Sequence, residues 1–247
     1  MLTQPRKQMP HDAPLLLTFS GLDGSGKSTQ IQNLREFLAA RGTRTRVLSF
    51  WDDIVVLPRW REGFVHKVLH SERGIGAPGR PVNRRDKNIR GWHLTMARHL
   101  LYLLDAIHMR LVLAKARNSV QVLILDRGIL DQLVNLPLHN RVTQAYVRLV
   151  IRLAPRPAIA FLLDADPLAA RARKPEYPVD FLQHSRRNYY RLAFMLKTVT
   201  LVPPLSLQES SRYIERAYLR IVDDSPAIDD PAAEAAPAPG KISSLPA

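Results

Sequence analysis

The chain has 247 residues, 46% of them hydrophobic and none of them cysteine; that is enough for one domain with a sizeable core, and it excludes disulfides and cysteine-ligated metal. No apolar run is long enough to span a bilayer. The formal net charge is +14, and the stretch from Asp223, with five acidic residues and one lysine, leaves +18 on the rest, a surface suited to polyanionic partners such as nucleic acid, acidic lipid or phosphorylated substrates.

Residues 1–13 are polar and broken by proline, and read as a flexible leader rather than a secretory signal. Then "LLLTFS" forms a first apolar strand, followed by "GLDGSGKST" and the helical pattern of Ser28–Arg41, with Ile31, Leu34, Phe37 and Leu38 on one face and Gly42 at the end. Gly21, Gly26, Lys27 and Ser28 meet the pattern G-x-x-x-x-G-K-[ST]. Strand, glycine turn and helix fall in the order a phosphate loop needs. Gly24 and Gly26 permit the backbone angles that turn successive N–H groups inward, so the run Gly21, Leu22, Asp23, Gly24, Ser25, Gly26, Lys27, Ser28 and Thr29 is expected to wrap a nucleoside triphosphate. Lys27 would reach the β- and γ-phosphates, and the Ser28 hydroxyl would ligate Mg²⁺. Asp23 is an acid inside an anion-binding loop. Its expected partner is an acceptor hydroxyl or a water on Mg²⁺; the alternative is a turn-stabilising hydrogen bond to its own backbone.

A second strand is expected at "RTRVLSFW". Residues 54–90 are rich in Gly, Pro and Arg with little periodicity. They read either as a mobile loop over the site or as a solvated insertion, and Trp60 with the scattered arginines also invites a nucleic-acid reading. A long helix over roughly Trp92–Arg117 leads to the third strand, "VQVLILD", which ends in Asp126 and Arg127. A carboxylate after a buried strand, beside a phosphate loop, suits a Mg²⁺ ligand, direct or through water, and Arg127 can grip a phosphate bidentately. The alternatives are a helix cap for Asp126 and a surface ion pair with Asp131 for Arg127.

A helix at Val142–Leu153 precedes the fourth strand, "AIAFLLD". Beyond it Asp166 and Pro167 are placed as cap and first helical residue, and Arg171, Arg173 and Lys174 gather at that helix's end before Pro175 and Pro178 break it. A basic helix-turn-helix of this kind can close as a lid and neutralise charge on a transferring phosphoryl group; the plainer alternative is a solvated basic helix end. The fifth strand is "TVTLV". A final helix, Leu207–Val222, opens with Ser206 and Glu209 spaced as a capping box, and residues 223–247 are Pro/Ala-rich and expected to be disordered. No internal repeat is present. These elements predict an α/β, doubly wound, parallel five-stranded sheet flanked by helices, of the P-loop NTPase class, with a small helical lid, spanning 14–222.

The ordered set of motifs resembles the thymidylate kinase family. "GLDGSGKST" is similar to its first motif, "DRG" to its Asp-Arg-Tyr motif, "FLLDADPLAARARK" to the strand and lid helix, and "DFLQHSRRNYYRLA" to the helix after the lid. The resemblance covers about Leu15 to Val222 and is weak across 54–90. It implies ATP-to-dTMP phosphoryl transfer with Mg²⁺, usually in a homodimer. By it Lys27 holds the β/γ-phosphates, Asp23 faces the acceptor sugar and Arg127 holds the acceptor phosphate. Ser25 stands where one subgroup carries a basic residue, so the chain is similar to the other subgroup, whose lid arginines serve catalysis; these would be Arg171 and Arg173. Departures fall on the acceptor side: Gly128 replaces the family's Tyr, Asp131 its common Ser, "SFWDD" its Glu-Pro or Phe-Pro segment, and "LLDAIHMR" its Ala-Asp-Arg.

The expected function is therefore ATP-dependent phosphorylation of a nucleoside monophosphate, dTMP to dTDP, in the cytoplasm, with no membrane partner. The alternatives are a kinase of another nucleotide, nucleoside or unrelated acceptor, and a nucleotide-dependent nucleic-acid-binding P-loop protein. No Asn-Lys-x-Asp guanine motif or ABC-type signature is present.

Overall fold

The computed structural model describes residues 14–56, 92–116 and 120–222. Five parallel strands, β1 (Leu15–Gly21), β2 (Thr45–Ser49), β3 (Val122–Asp126), β4 (Ile159–Leu163) and β5 (Val199–Val202), form one sheet in the order β2-β3-β1-β4-β5. The helices are α1 (Lys27–Ala40), α2 (Trp92–Ala116), α3 (Ile129–Leu133), α4 (Arg141–Leu153), α5 (Pro167–Arg173), α6 (Val179–Leu196) and α7 (Leu207–Val222).

The run of apolar residues in β1, β3 and β4 reflects burial on both faces, because helices cover each side of a parallel sheet. Successive side chains alternate between two cores. Leu17, Phe19, Val122 and Ile124 pack with Ile31, Leu34 and Leu38 of α1 and with Ile214 and Tyr218 of α7. Leu16, Leu123 and Leu125 point the other way, into a larger core built with α2, α3, α4 and α6. β1 lies between β3 and β4, so the chain winds in opposite directions on its two sides. A crevice opens there, beyond the carboxyl ends of the strands.

The expected elements are present, with two adjustments. β2 stops at Ser49, and Phe50–Ile54 forms a π-helical turn instead of continuing the strand; the Asp53 carboxylate accepts from the Ser49 N–H at 2.7 Å and bends the chain. The short α3, absent from the expected elements, follows β3. Helix α5 ends before the proline-flanked turn, as expected, and α6 begins at Val179. The caps read from the sequence form as drawn. Asp166 accepts from Leu168 and Ala169 N–H, both at 3.0 Å, and Ser206 and Glu209 bond reciprocally. The leader, the tail from Asp223, Arg117 and all but the first three residues of 54–90 lie outside the described residues.

Helix α2 is apolar on both faces. Ala106, Met109, Leu113 and Ala116 enter the core, while Ala97, Leu100, Leu104, Ile107, Leu111 and Ala114 are exposed. Among the described residues, no helix is long and apolar enough to cross a membrane.

Candidate active site

The loop between β1 and α1 is shaped by its glycines. Gly24 and Gly26 take φ values of 82° and 89°, in the region that side-chain-bearing residues avoid. Gly26 is also the residue before α1, so the first-turn N–H groups, which lack partners within the helix, face out over the loop. A Cβ on Gly26 would meet nothing within 4 Å, and the buried Ser25 Oγ has no hydrogen-bond partner. An open cradle of N–H groups and an unpaired buried hydroxyl fit a phosphate. Leu22 is buried in the core and offers only its backbone, while Ser28 and Thr29 stand exposed on the first turn of α1.

Lys27 is 6% exposed, and its Nζ donates to the carbonyls of Gly21 (2.9 Å) and Leu22 (2.7 Å). Burial, with the Arg127 charge adding to it, pushes its pKa down to about 8, against the pull of Asp131, Asp23 and Asp126.

On the neighbouring strand, Asp126 pairs in register with Phe19 on one side and Ser49 on the other. Burial raises its carboxyl pKa, helped by Asp131 and Asp23 and opposed by Lys27 and Arg127. Arg127 then turns out of the strand in a left-handed conformation (φ 65°), with its N–H on the Phe19 carbonyl at 3.0 Å. Its guanidinium is ion-paired with Asp23 and lies 4.0 Å from Asp131. Burial by itself lowers the Arg127 pKa, yet these two carboxylates outweigh it and raise it above the ordinary arginine value. Burial likewise opposes ionisation of Asp23, and Arg127 and Lys27 overcome it, so its pKa falls. Among the described residues the partner of Asp23 is thus a cation, Arg127. The pairing of Arg127 with Asp131, the plainer alternative for that arginine, is present at 4.0 Å, but with a buried carboxylate rather than at the surface.

Asp131 is the residue whose role sequence reasoning missed. Its carboxylate accepts from Ser20 Oγ (2.7 Å), the Gly128 N–H (2.9 Å) and the Tyr189 hydroxyl (2.8 Å). The local signal was an acid three residues into a short helix, reaching back to its cap; the contacts to Ser20 and Tyr189 had none.

A cleft of about 270 Å³ opens beside the loop. Asp23, Arg127 and Asp131 form one end, Trp51, Tyr177, Phe181 and Tyr189 give aromatic walls, and Asn135 and Ser185 add polar groups. Lys174, paired with Glu176 at 3.2 Å, lines it as well. Arg171 and Arg173, expected to act together from α5, do not line this cleft; Arg173 Nε instead donates to its own helix at Ala169 (3.3 Å). Helix α5 rests directly on the loop: a Cβ on Gly24 would lie 2.3 Å from the Ala170 carbonyl oxygen. Its base is tied down by Arg186, which grips the nearly buried Asp164 at 2.7 and 2.5 Å, with Tyr190 adding a third bond at 2.7 Å.

The solved structure of thymidylate kinase from Ehrlichia chaffeensis is similar, with a TM-score of 0.53 and 14% identity over 83% of this chain and 98% of that one. The fold is the P-loop type of α/β fold, a five-stranded parallel sheet flanked by helices, similar to that of this structure. At that identity the likeness is one of fold, and no protein-family model matches the chain.

Proposed function

We propose that the protein is an ATP-dependent kinase of the thymidylate kinase type, transferring the γ-phosphoryl group to a nucleoside monophosphate, with dTMP the first acceptor to test. The observation that carries this reading is the adjacency of two anion-compatible sites. One is the glycine cradle with Lys27; the other is an aromatic-walled cleft headed by Arg127. An NTP-hydrolysing switch needs only the first. The cleft's aromatic walls suit a planar ring, and its volume approaches that of small-molecule sites.

In this reading the loop N–H groups and Lys27 hold the donor phosphates, and Arg127 holds the acceptor phosphate in line with them. The acceptor oxygen displaces ADP, and because a phosphate monoanion or dianion is already a nucleophile no catalytic base is required. Ser28 and Asp126 would hold Mg²⁺, which when bound neutralises charge on the donor phosphates; phosphate and water supply most ligands of such an ion, so one hydroxyl and one carboxylate suffice. Asp23 would face the acceptor sugar. Arg171 and Arg173 would act on the donor side of α5, with Lys174 on the acceptor side. The corresponding test is Lys27→Ala: phosphoryl transfer should fall at least about 100-fold with the fold intact. Near-normal transfer would remove Lys27, and with it this assignment of the site.

A second copy of the chain is the proposed partner of α2. Its exposed apolar residues recur at spacings of 3, 4, 3, 4 and 3, a heptad seam about 26 Å long that meets an identical seam across a two-fold axis. A helix apolar on both faces belongs in an interior.

A further inference from the structure

Tyr189 and Asp131 together connect the donor loop to the acceptor arginine. Tyr189 is buried; its hydroxyl donates to Asp131 and lies 3.2 Å from the Gly21 carbonyl oxygen, the same oxygen that accepts from Lys27. Asp131 in turn holds the Gly128 N–H and faces the Arg127 guanidinium, which returns to the loop through Asp23. The contacts therefore close a ring that leaves the loop at Gly21 and re-enters it at Asp23.

The two carboxylates around Arg127 are not equivalent. Asp23 and Arg127 are partly open to solvent, with side chains 18% and 27% exposed, whereas Asp131 is 2% exposed. An incoming anion can separate the open pair; it cannot displace Asp131, which is held by three donors. Arg127 also sits in a left-handed backbone, a conformation that persists only where its surroundings fix it, and the residue directly after it is the one Asp131 anchors.

We propose that Asp131, buttressed by Tyr189, is a positioning residue: it is the permanent counter-charge that keeps Arg127 aimed at the acceptor while Asp23 lets go. The inference rests on the proposed kinase reading, and its test is arranged to separate the two. Asp131→Asn keeps the shape and removes the charge, and Tyr189→Phe removes one hydroxyl. In both variants the KM for the acceptor should rise tenfold or more and the Kd for Mg-ATP change far less; because Asp131 and Tyr189 are buried partners, both variants also lose stability, so the constants are measured well below the lowered melting temperature. Independently of turnover, the Arg127 guanidinium Nη–H resonances, assigned by their loss in Arg127→Lys, should be resolved and slowly exchanging in the parent protein and broadened or fast-exchanging in Asp131→Asn. An unchanged resonance in a folded Asp131→Asn variant overturns the proposal, as does an unchanged acceptor KM. A resonance that responds, in a protein that phosphorylates no acceptor, supports the positioning role and refutes the kinase reading alone.

Discussion

Replacing Gly24 by alanine tests whether helix α5 truly rests on the phosphate loop. The added methyl would lie 2.3 Å from the Ala170 carbonyl oxygen, 3.0 Å from its carbon and 3.2 Å from its Cα, all backbone atoms with no rotamer to yield. The oxygen must retreat by roughly 1 Å to reach ordinary contact, and overpacking of this kind costs about 1–3 kcal/mol. The left-handed φ of 82° adds about 1–2 kcal/mol for an L-residue, less about 0.4–1 kcal/mol for the stiffer unfolded chain. The total is about 1–5 kcal/mol. Gly26→Ala is the internal control, with a φ of 89° and nothing near the added carbon, so it bears only the conformational cost, about 1 kcal/mol. For a domain of this size 1 kcal/mol moves Tm by about 2–4 °C, so thermal scans should separate the variants by at least about 2 °C. If α5 swings away instead, the strain is relieved but trypsin should cut faster at Arg171–Lys174. Equal Tm values together with unchanged cleavage would refute the packing of α5 on Gly24.

Other consequences follow from the same geometry. The free Lys27 loses its charge as pH rises through about 8, whereas bound triphosphate keeps it protonated; the Mg-ATP Kd should thus be flat below pH 8 and rise up to tenfold per unit above it. Calorimetry should show proton uptake there, and Lys27→Arg should abolish the slope. The stability sign is opposite, since an unfolded lysine holds its proton to about 10.4: unfolding takes up a proton between these values, and this group's contribution to stability rises with pH there. Arg186→Met should leave the Asp164 carboxylate nearly buried with only Tyr190 beside it. Breaking a buried pair costs about 3–5 kcal/mol, reduced here to about 2–3 by the partial exposure of Arg186, so Tm should drop by roughly 5–10 °C. Sedimentation at micromolar concentration should show a dimer that Leu104→Glu with Ile107→Glu converts to monomer; a monomeric parent protein would contradict the seam.

What the sequence made legible was local. The phosphate loop is written in nine consecutive residues, and the helix caps at Asp166 and Ser206 are two- and three-residue signals. The sheet could be drawn because strands buried on both faces need no polar alternation. What escaped depends on contacts between distant segments. Asp131 meets Ser20 and Tyr189 across 111 and 58 residues, and Asp164 meets Arg186 across 22. Without those partners Asp131 read as a departure from a serine and as a surface ion-pair partner for Arg127. The end of β2 was misjudged because Phe50 and Trp51 are good strand formers, while the bend is imposed by Asp53, four residues beyond Ser49. Lys174 lines the cleft, and not its two arginine neighbours, because the chain leaves the helix at that residue, a detail composition cannot carry.

The central claim is that the loop and the cleft work together in phosphoryl transfer. Incubating the protein with Mg-ATP and, in separate wells, dTMP, dUMP, other nucleoside monophosphates and nucleosides, with ADP measured against an acceptor-free control, tests it most directly. The account predicts acceptor-stimulated ADP formation with a phosphorylated product, dTDP in the dTMP well. Acceptor-independent ADP release, or silence in every well from folded protein that binds Mg-ATP, would contradict it.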